Sequence, residues 1–218
     1  KAGVCQRVEK ISPSEFLACN RQPKTMKTID LIKALERLNK PFYTLSDLEK
    51  ITGLTRTILY ITLNRLTGKG ILEKMAPGIY RVFTSPARIE KTAASLYLPN
   101  YLSFESALSR YGILTLVPYT LTFATTRKTK KITVGGRDVV FRQIKKDMFW
   151  GYEMVGGIYI AKPEKAFLDL AYFASRGKSF MDLDEIDVKK LSKPKIVEFL
   201  EKFPEYTKRY ISKSIYKL

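Results

Sequence analysis

The chain has 218 residues, 45% of them hydrophobic, and a formal net charge of +18, enough for one large or two modest domains with a polyanionic partner, nucleic acid before an acidic protein or membrane surface. A lysine-rich surface without such a partner is the bland alternative. The absence of histidine excludes Ser-His-Asp and Cys-His catalysis and His-ligated metals, and two cysteines, Cys5 and Cys19, make neither a CxxC pair nor a disulfide framework.

Residues 1–23 read as an N-terminal arm in which Pro13 and Ser14 could start a short helix, SEFLACN. No apolar segment follows Lys1, and no apolar run approaches the roughly 20 residues of a membrane helix, so a cytoplasmic chain with no membrane partner is expected. Residues 24–84 form the first predicted domain. Leu31, Ile32, Leu35 and Leu38 share one face of a helix with Thr28 as N-cap, ended by Asn39-Lys40-Pro41. Ser46 and Glu49 have capping-box spacing for a second helix, with Leu45, Leu48 and Ile51 inward and Gly53 as the turn. Thr55 caps a third helix to about Thr67, with Leu59, Thr62, Leu63 and Leu66 on its inner face. Gly70 closes it, and Ile71–Met75 and Ile79–Phe83 pair as a hairpin around Pro77-Gly78. Helix, turn, helix and two-stranded wing predict a winged helix-turn-helix.

Charge is concentrated within this unit. Residues 28–53 carry balanced charges, whereas 54–83 hold Arg56, Arg65, Lys69, Lys74 and Arg81 against Glu73 alone. The candidate DNA-binding residues are Thr55, Arg56, Thr57, Tyr60, Ile61 and Asn64 on the third helix, with Arg65, Lys69, Lys74 and Arg81 for phosphates. Arginine can read guanine, asparagine adenine, and an aliphatic group a thymine methyl. A plain solvated helix face is the competing interpretation.

Residues 85–100 read as a linker helix, Ala87–Leu98, after the Ser85-Pro86 break. Residues 101–218 are predicted as a mixed α/β domain with a helical tail, so the whole is an α+β protein. Its expected parts are a helix over Tyr101–Ile113, a strand over Pro118–Thr125, a hairpin over Arg127–Gln143 turning at Gly135-Gly136, further strands at Trp150–Tyr152 and Gly157–Ala161, and a helix over Lys162–Ser175. In the tail, Ile196, Phe199, Leu200 and Phe203 have core spacing.

The run GLTRTILYITLNRLTGKGILEKMAPGIYRV, together with YLSFESALSRYGI, TLTFATTRK, VVFRQI and GIYIAKPEKAFLDL, resembles the AbiEi-type antitoxins, regulators in type IV toxin–antitoxin (abortive infection) pairs. The likeness covers about residues 28–175. Ser106, Ala107, Leu108 and Gly112 fit one motif, Arg127 and Lys128 a second, and Pro163, Glu164, Lys165 and Asp169 a third. It implies a non-enzymatic repressor that binds double-stranded DNA at an inverted repeat in its own promoter, with self-association on the DNA left open. Its second domain would counteract a nucleotidyltransferase-like toxin without a stable complex.

Two further clusters keep alternatives. Arg127, Lys128, Lys130, Lys131, Arg137, Arg142, Lys145 and Lys146 could extend the DNA contact, dock an acidic protein, or simply be solvated. Glu164, Lys165 and Asp169 are read foremost as helix-dipole charge plus an i,i+4 ion pair, and secondarily as a partner or nuclease site. A metal-dependent nuclease needs clustered carboxylates, and Asp138 followed by Gln143-Ile144-Lys145 lacks the second acid. No cofactor or metal is therefore expected. A DNA-targeted nuclease and a plain repressor with a ligand-sensing domain remain the alternatives.

Overall fold

The computed structural model describes residues 27–83 and 89–215. The predicted N-terminal arm, the Ser85-Pro86 break and the start of the linker helix lie outside the described residues. The architecture is mixed α+β, with two sheets and two hydrophobic cores.

The first core is leucine-rich. Helices α1 (Thr28–Leu38), α2 (Leu45–Thr52) and α3 (Arg56–Gly68) surround a three-stranded antiparallel sheet of β1 (Tyr43–Thr44), β2 (Leu72–Ala76) and β3 (Ile79–Val82), in the order β1-β3-β2. Leu31, Leu35, Leu48, Leu59, Leu63 and Leu66 meet Tyr43 and Tyr80 there. The Tyr43 hydroxyl donates to the Leu35 carbonyl and accepts from the Lys40 backbone N–H, tying the end of α1 to β1.

Several predicted boundaries shift. Lys27, not Thr28, occupies the cap position of α1, and Leu38 is half exposed at its end, before the left-handed Asn39. The capping box of α2 belongs to Thr44 and Asp47, not Ser46 and Glu49: Thr44 Oγ accepts from the Asp47 N–H, and the Asp47 carboxylate accepts from the Thr44 N–H. Both pairs have suitable spacing, but pairing of Tyr43 with Tyr80 and Thr44 with Ile79 keeps residues 43–44 extended, which places the cap at Thr44.

The second core contains a six-stranded mixed sheet, ordered β6-β7-β5-β4-β9-β8. Its strands are β4 (Asn100–Leu102), β5 (Leu121–Thr125), β6 (Lys130–Val134), β7 (Arg137–Gln143), β8 (Tyr152–Val155) and β9 (Ile158–Ala161). All five residues of β5 are buried, as expected for a strand covered on both faces. Helix α4 (Ile89–Leu96) covers one side: Asn100 Nδ2 donates to the Ala94 and Tyr97 carbonyls, and Tyr97 packs on Phe141. The alternating residue Tyr101 points to the other side, toward α6 (Pro163–Ala174). Helix α5 (Phe104–Arg110) packs on α6, and α7 (Lys193–Leu200) and α8 (Glu205–Ile215) enclose α6 further.

The predicted helix over Tyr101–Ile113 is therefore two elements, since Tyr101 and Leu102 lie in β4 before α5 begins. The predicted strand from Pro118 starts only at Leu121. The linker helix buries Thr92 and Ala93 against the sheet, so it is part of the second core.

The two cores touch through the first hairpin. Met75 belongs to the second core, Ile79 packs against it, and the Gly135 N–H donates to the Met75 carbonyl at 2.8 Å. Gly135 has φ +57, and a Cβ there would lie 2.9 Å from Met75 Cε. The turn favours glycine for its left-handed conformation, and a Cβ there would have to displace the end of the Met75 side chain.

Candidate nucleic-acid interface

Helix α3 is buried along one face only. Leu59, Leu63 and Leu66 are inaccessible and fix it to the first core. Thr55, Arg56, Thr57, Tyr60, Ile61, Asn64 and Arg65 are all exposed on the remaining surface. Ile61 is 66% exposed and Tyr60 42%, so two large apolar groups face solvent among polar ones.

The left-handed Gly53 (φ +66) turns the chain between α2 and α3. Thr55 sits at the cap position of α3 but makes no side-chain capping bond, and the first turn carries no acid. An uncapped helix N-terminus with free hydroxyls presents backbone N–H donors suited to an anion. Arg56 pairs with Glu49, with Nε to Oε1 at 3.5 Å and both side chains partly solvated. Such a surface pair is weak and readily exchanged.

The hairpin cations differ from one another. Lys74 is exposed, whereas Arg81 is clamped across the hairpin to Glu73, with Nε–Oε2 at 2.8 Å and the second nitrogen at 2.7 Å. The sequence assigns Arg81 to phosphate, and in the structure its guanidinium pairs with Glu73. Lys69, at the end of α3, is exposed.

The eight cations of residues 127–146 differ in partners and exposure. Arg127 donates to the Leu98 carbonyl at 3.2 Å and lies 4.5 Å from the Tyr97 ring, which Lys130 also approaches. Lys131 pairs with Asp138 at 2.8 Å and holds that carboxyl below its usual range. Arg137 donates to the Tyr119 and Pro118 carbonyls, and Arg142 is partly buried against Glu105. Lys128, Lys145 and Lys146 remain exposed.

The acidic candidates do not converge. Asp138 is occupied by Lys131 and Thr133. Glu164 is buried, and its Oε1 accepts from the Ser192 N–H at 3.2 Å. Asp169 is wholly enclosed and accepts from Lys165 Nζ, the Tyr101 hydroxyl at 2.9 Å and the Ser103 hydroxyl at 2.8 Å. Burial lowers the Lys165 pKa from its ordinary value, opposed by Asp169, and raises that of Tyr101. The expected ion pair is present, but it is a core network and not a solvated helix start. Its burial has a visible sequence signal: FLDLAYFA is apolar around most of the helix. Among the described residues, no group of three or more Cys, Asp or Glu side chains is arranged to hold a metal ion.

Sequence reasoning missed Arg176 and Lys178, which line a cleft with Arg142 and Lys145. No motif joins these two pairs, because different elements bring them together. Among the described residues, no helix is long and apolar enough to cross a membrane. The chain matches no family model and no curated protein.

Proposed function

We propose that the chain is a cytoplasmic, sequence-specific DNA-binding transcriptional regulator whose residues 45–83 act as a winged helix-turn-helix. The observation that carries this reading is the outward face of α3. Arg56, Tyr60, Ile61 and Asn64 stand exposed on a helix fixed from behind by Leu59, Leu63 and Leu66. An arginine, an asparagine and an aliphatic side chain exposed together on one helix can read guanine, adenine and a thymine methyl. A helix lying in the major groove uses all four. Lys69 and Lys74 supply phosphate contacts beside it.

The finer reading is an autorepressor, binding an inverted repeat in its own promoter, that also serves as the antitoxin of a type IV pair. It rests on the likeness to AbiEi-type antitoxins in residues 28–175. The third motif of that likeness, Glu164, Lys165 and Asp169, supports the second core internally. Antitoxicity would therefore depend on exposed side chains of the second module.

A gel shift with the upstream DNA of its own reading frame, against scrambled duplex, tests the DNA reading. Arg56→Ala with Asn64→Ala should lower discrimination by about 1–3 kcal/mol for each base no longer read. Full selectivity in that double variant would remove α3 as the reading helix. Co-expression with an adjacent nucleotidyltransferase-like gene, scored by growth, tests the antitoxin reading separately.

A further inference from the structure

The second module holds a cleft of about 560 Å³ between the end of β7 and the end of α6, within the size range of small-molecule sites. Four cations line it, Arg142 and Lys145 from one side and Arg176 and Lys178 from the other, and among the described residues no carboxylate lines it.

Two of these cations are fixed in place. The Arg142 guanidinium lies over the Phe104 ring at 4.9 Å and the Phe173 ring at 5.7 Å, with one nitrogen near Glu105 and Ser179. Arg176 lies over the Tyr172 ring at 5.2 Å and donates to its hydroxyl at 2.8 Å. A guanidinium has five N–H donors, so each arginine keeps most of them for another partner. Ring stacking orders both arginines before any ligand arrives, which reduces the entropy lost on binding.

Lys145 and Lys178 are exposed and, among the described residues, pair with no carboxylate. Glu105 offsets part of one arginine, which leaves an excess of positive charge around an open cleft. Between the cations the wall is apolar, formed by Val140, Ile144 and Phe173.

A single phosphate would leave most of this volume and charge unused. A rigid duplex presents its phosphates along a convex rod and does not enter a concavity of this size. We infer that this cleft binds a small soluble polyphosphate of nucleotide size, its phosphates on the four cations and its remainder against the apolar wall.

Isothermal titration calorimetry on the full chain at physiological salt tests this, with ATP, inorganic triphosphate and a single-stranded 12-nucleotide DNA as probes. ATP, inorganic triphosphate or both should bind saturably with one site per chain. Lys145→Ala combined with Lys178→Ala should weaken that binding at least tenfold, through removal of two charge-assisted hydrogen bonds. Both lysines are exposed, so the variant's thermal unfolding should match the parent. Tighter binding of ATP than of triphosphate would add a nucleoside contact, and equal binding would assign recognition to the phosphate chain; either supports the site. Three results would overturn it: no saturable binding of either polyphosphate, undiminished affinity in the double variant, or binding of the oligonucleotide alone.

Discussion

A lysine ammonium shut off from solvent must find its stabilisation inside the protein. Lys165 finds it in Asp169, in the Tyr101 hydroxyl at 3.1 Å, and in the faces of Trp150 and Phe203 at 5.1 and 5.2 Å. Dehydrating two charges is costly, and removing one of them leaves the other uncompensated. Lys165→Met alone should therefore destabilise the fold by about 3–5 kcal/mol, and Lys165→Met with Asp169→Leu should recover much of that loss. Urea unfolding of the two single variants and the double variant measures the coupling. The i,i+4 spacing makes the pair legible in the sequence; the aromatic enclosure is not, since Trp150 and Phe203 arrive from separate segments. Phe104 is similarly hidden. It holds a left-handed backbone (φ 55) at the start of α5, with its ring locked between Phe173 and Arg142.

Elements are most legible where local chemistry alone decides them. The leucine spacing of α1–α3 and the Pro77-Gly78 and Gly135-Gly136 turns survive in any plausible packing. Strand β4 is not legible, because three residues carry no periodicity and the following Phe104–Arg110 extends a helical pattern backward over Tyr101. Only its partners β5 and β9 make it a strand. The cap of α2 shows the same limit, and its correction can be tested. Hydrogen bonds from the Thr44 backbone N–H, then from its hydroxyl, with Lys40 nearby, hold the Asp47 carboxyl below its ordinary 3.8. A depressed folded pKa gives stability that is fully present above the unfolded value and lost as pH falls through the folded one. Asp47→Ala should cost about 0.5–2 kcal/mol at neutral pH, in the range of a lost helix cap. The difference between parent and variant should shrink below about pH 4. Ser46→Ala should lack this signature. Thermal unfolding across that pH range reads both variants.

For the molecule as a whole, the net charge of +18 sets the scale of any encounter with DNA, but only cations that reach phosphate contribute to the salt dependence. Arg81 and Arg142 sit beside Glu73 and Glu105, pairs that already cancel within the net charge, so the uncancelled excess rests on other cations. Each phosphate left without its lysine should flatten the slope of log affinity against log salt by about 0.9. Lys69→Ala with Lys74→Ala should thus change the slope by about 1.8, measured by fluorescence anisotropy on duplex DNA over a range of salt. An unchanged slope would remove both lysines from the interface. The docking of Met75 at Gly135 reaches further. A hairpin whose packing is completed by another module's core is not an independent unit. On the proposed DNA-binding reading, competent molecules would be those in which both cores are intact, and apparent affinity would be scaled by that fraction. Damage at a site as remote from α3 as Lys165 would register in a binding curve as a smaller active fraction, with base preference and salt slope untouched.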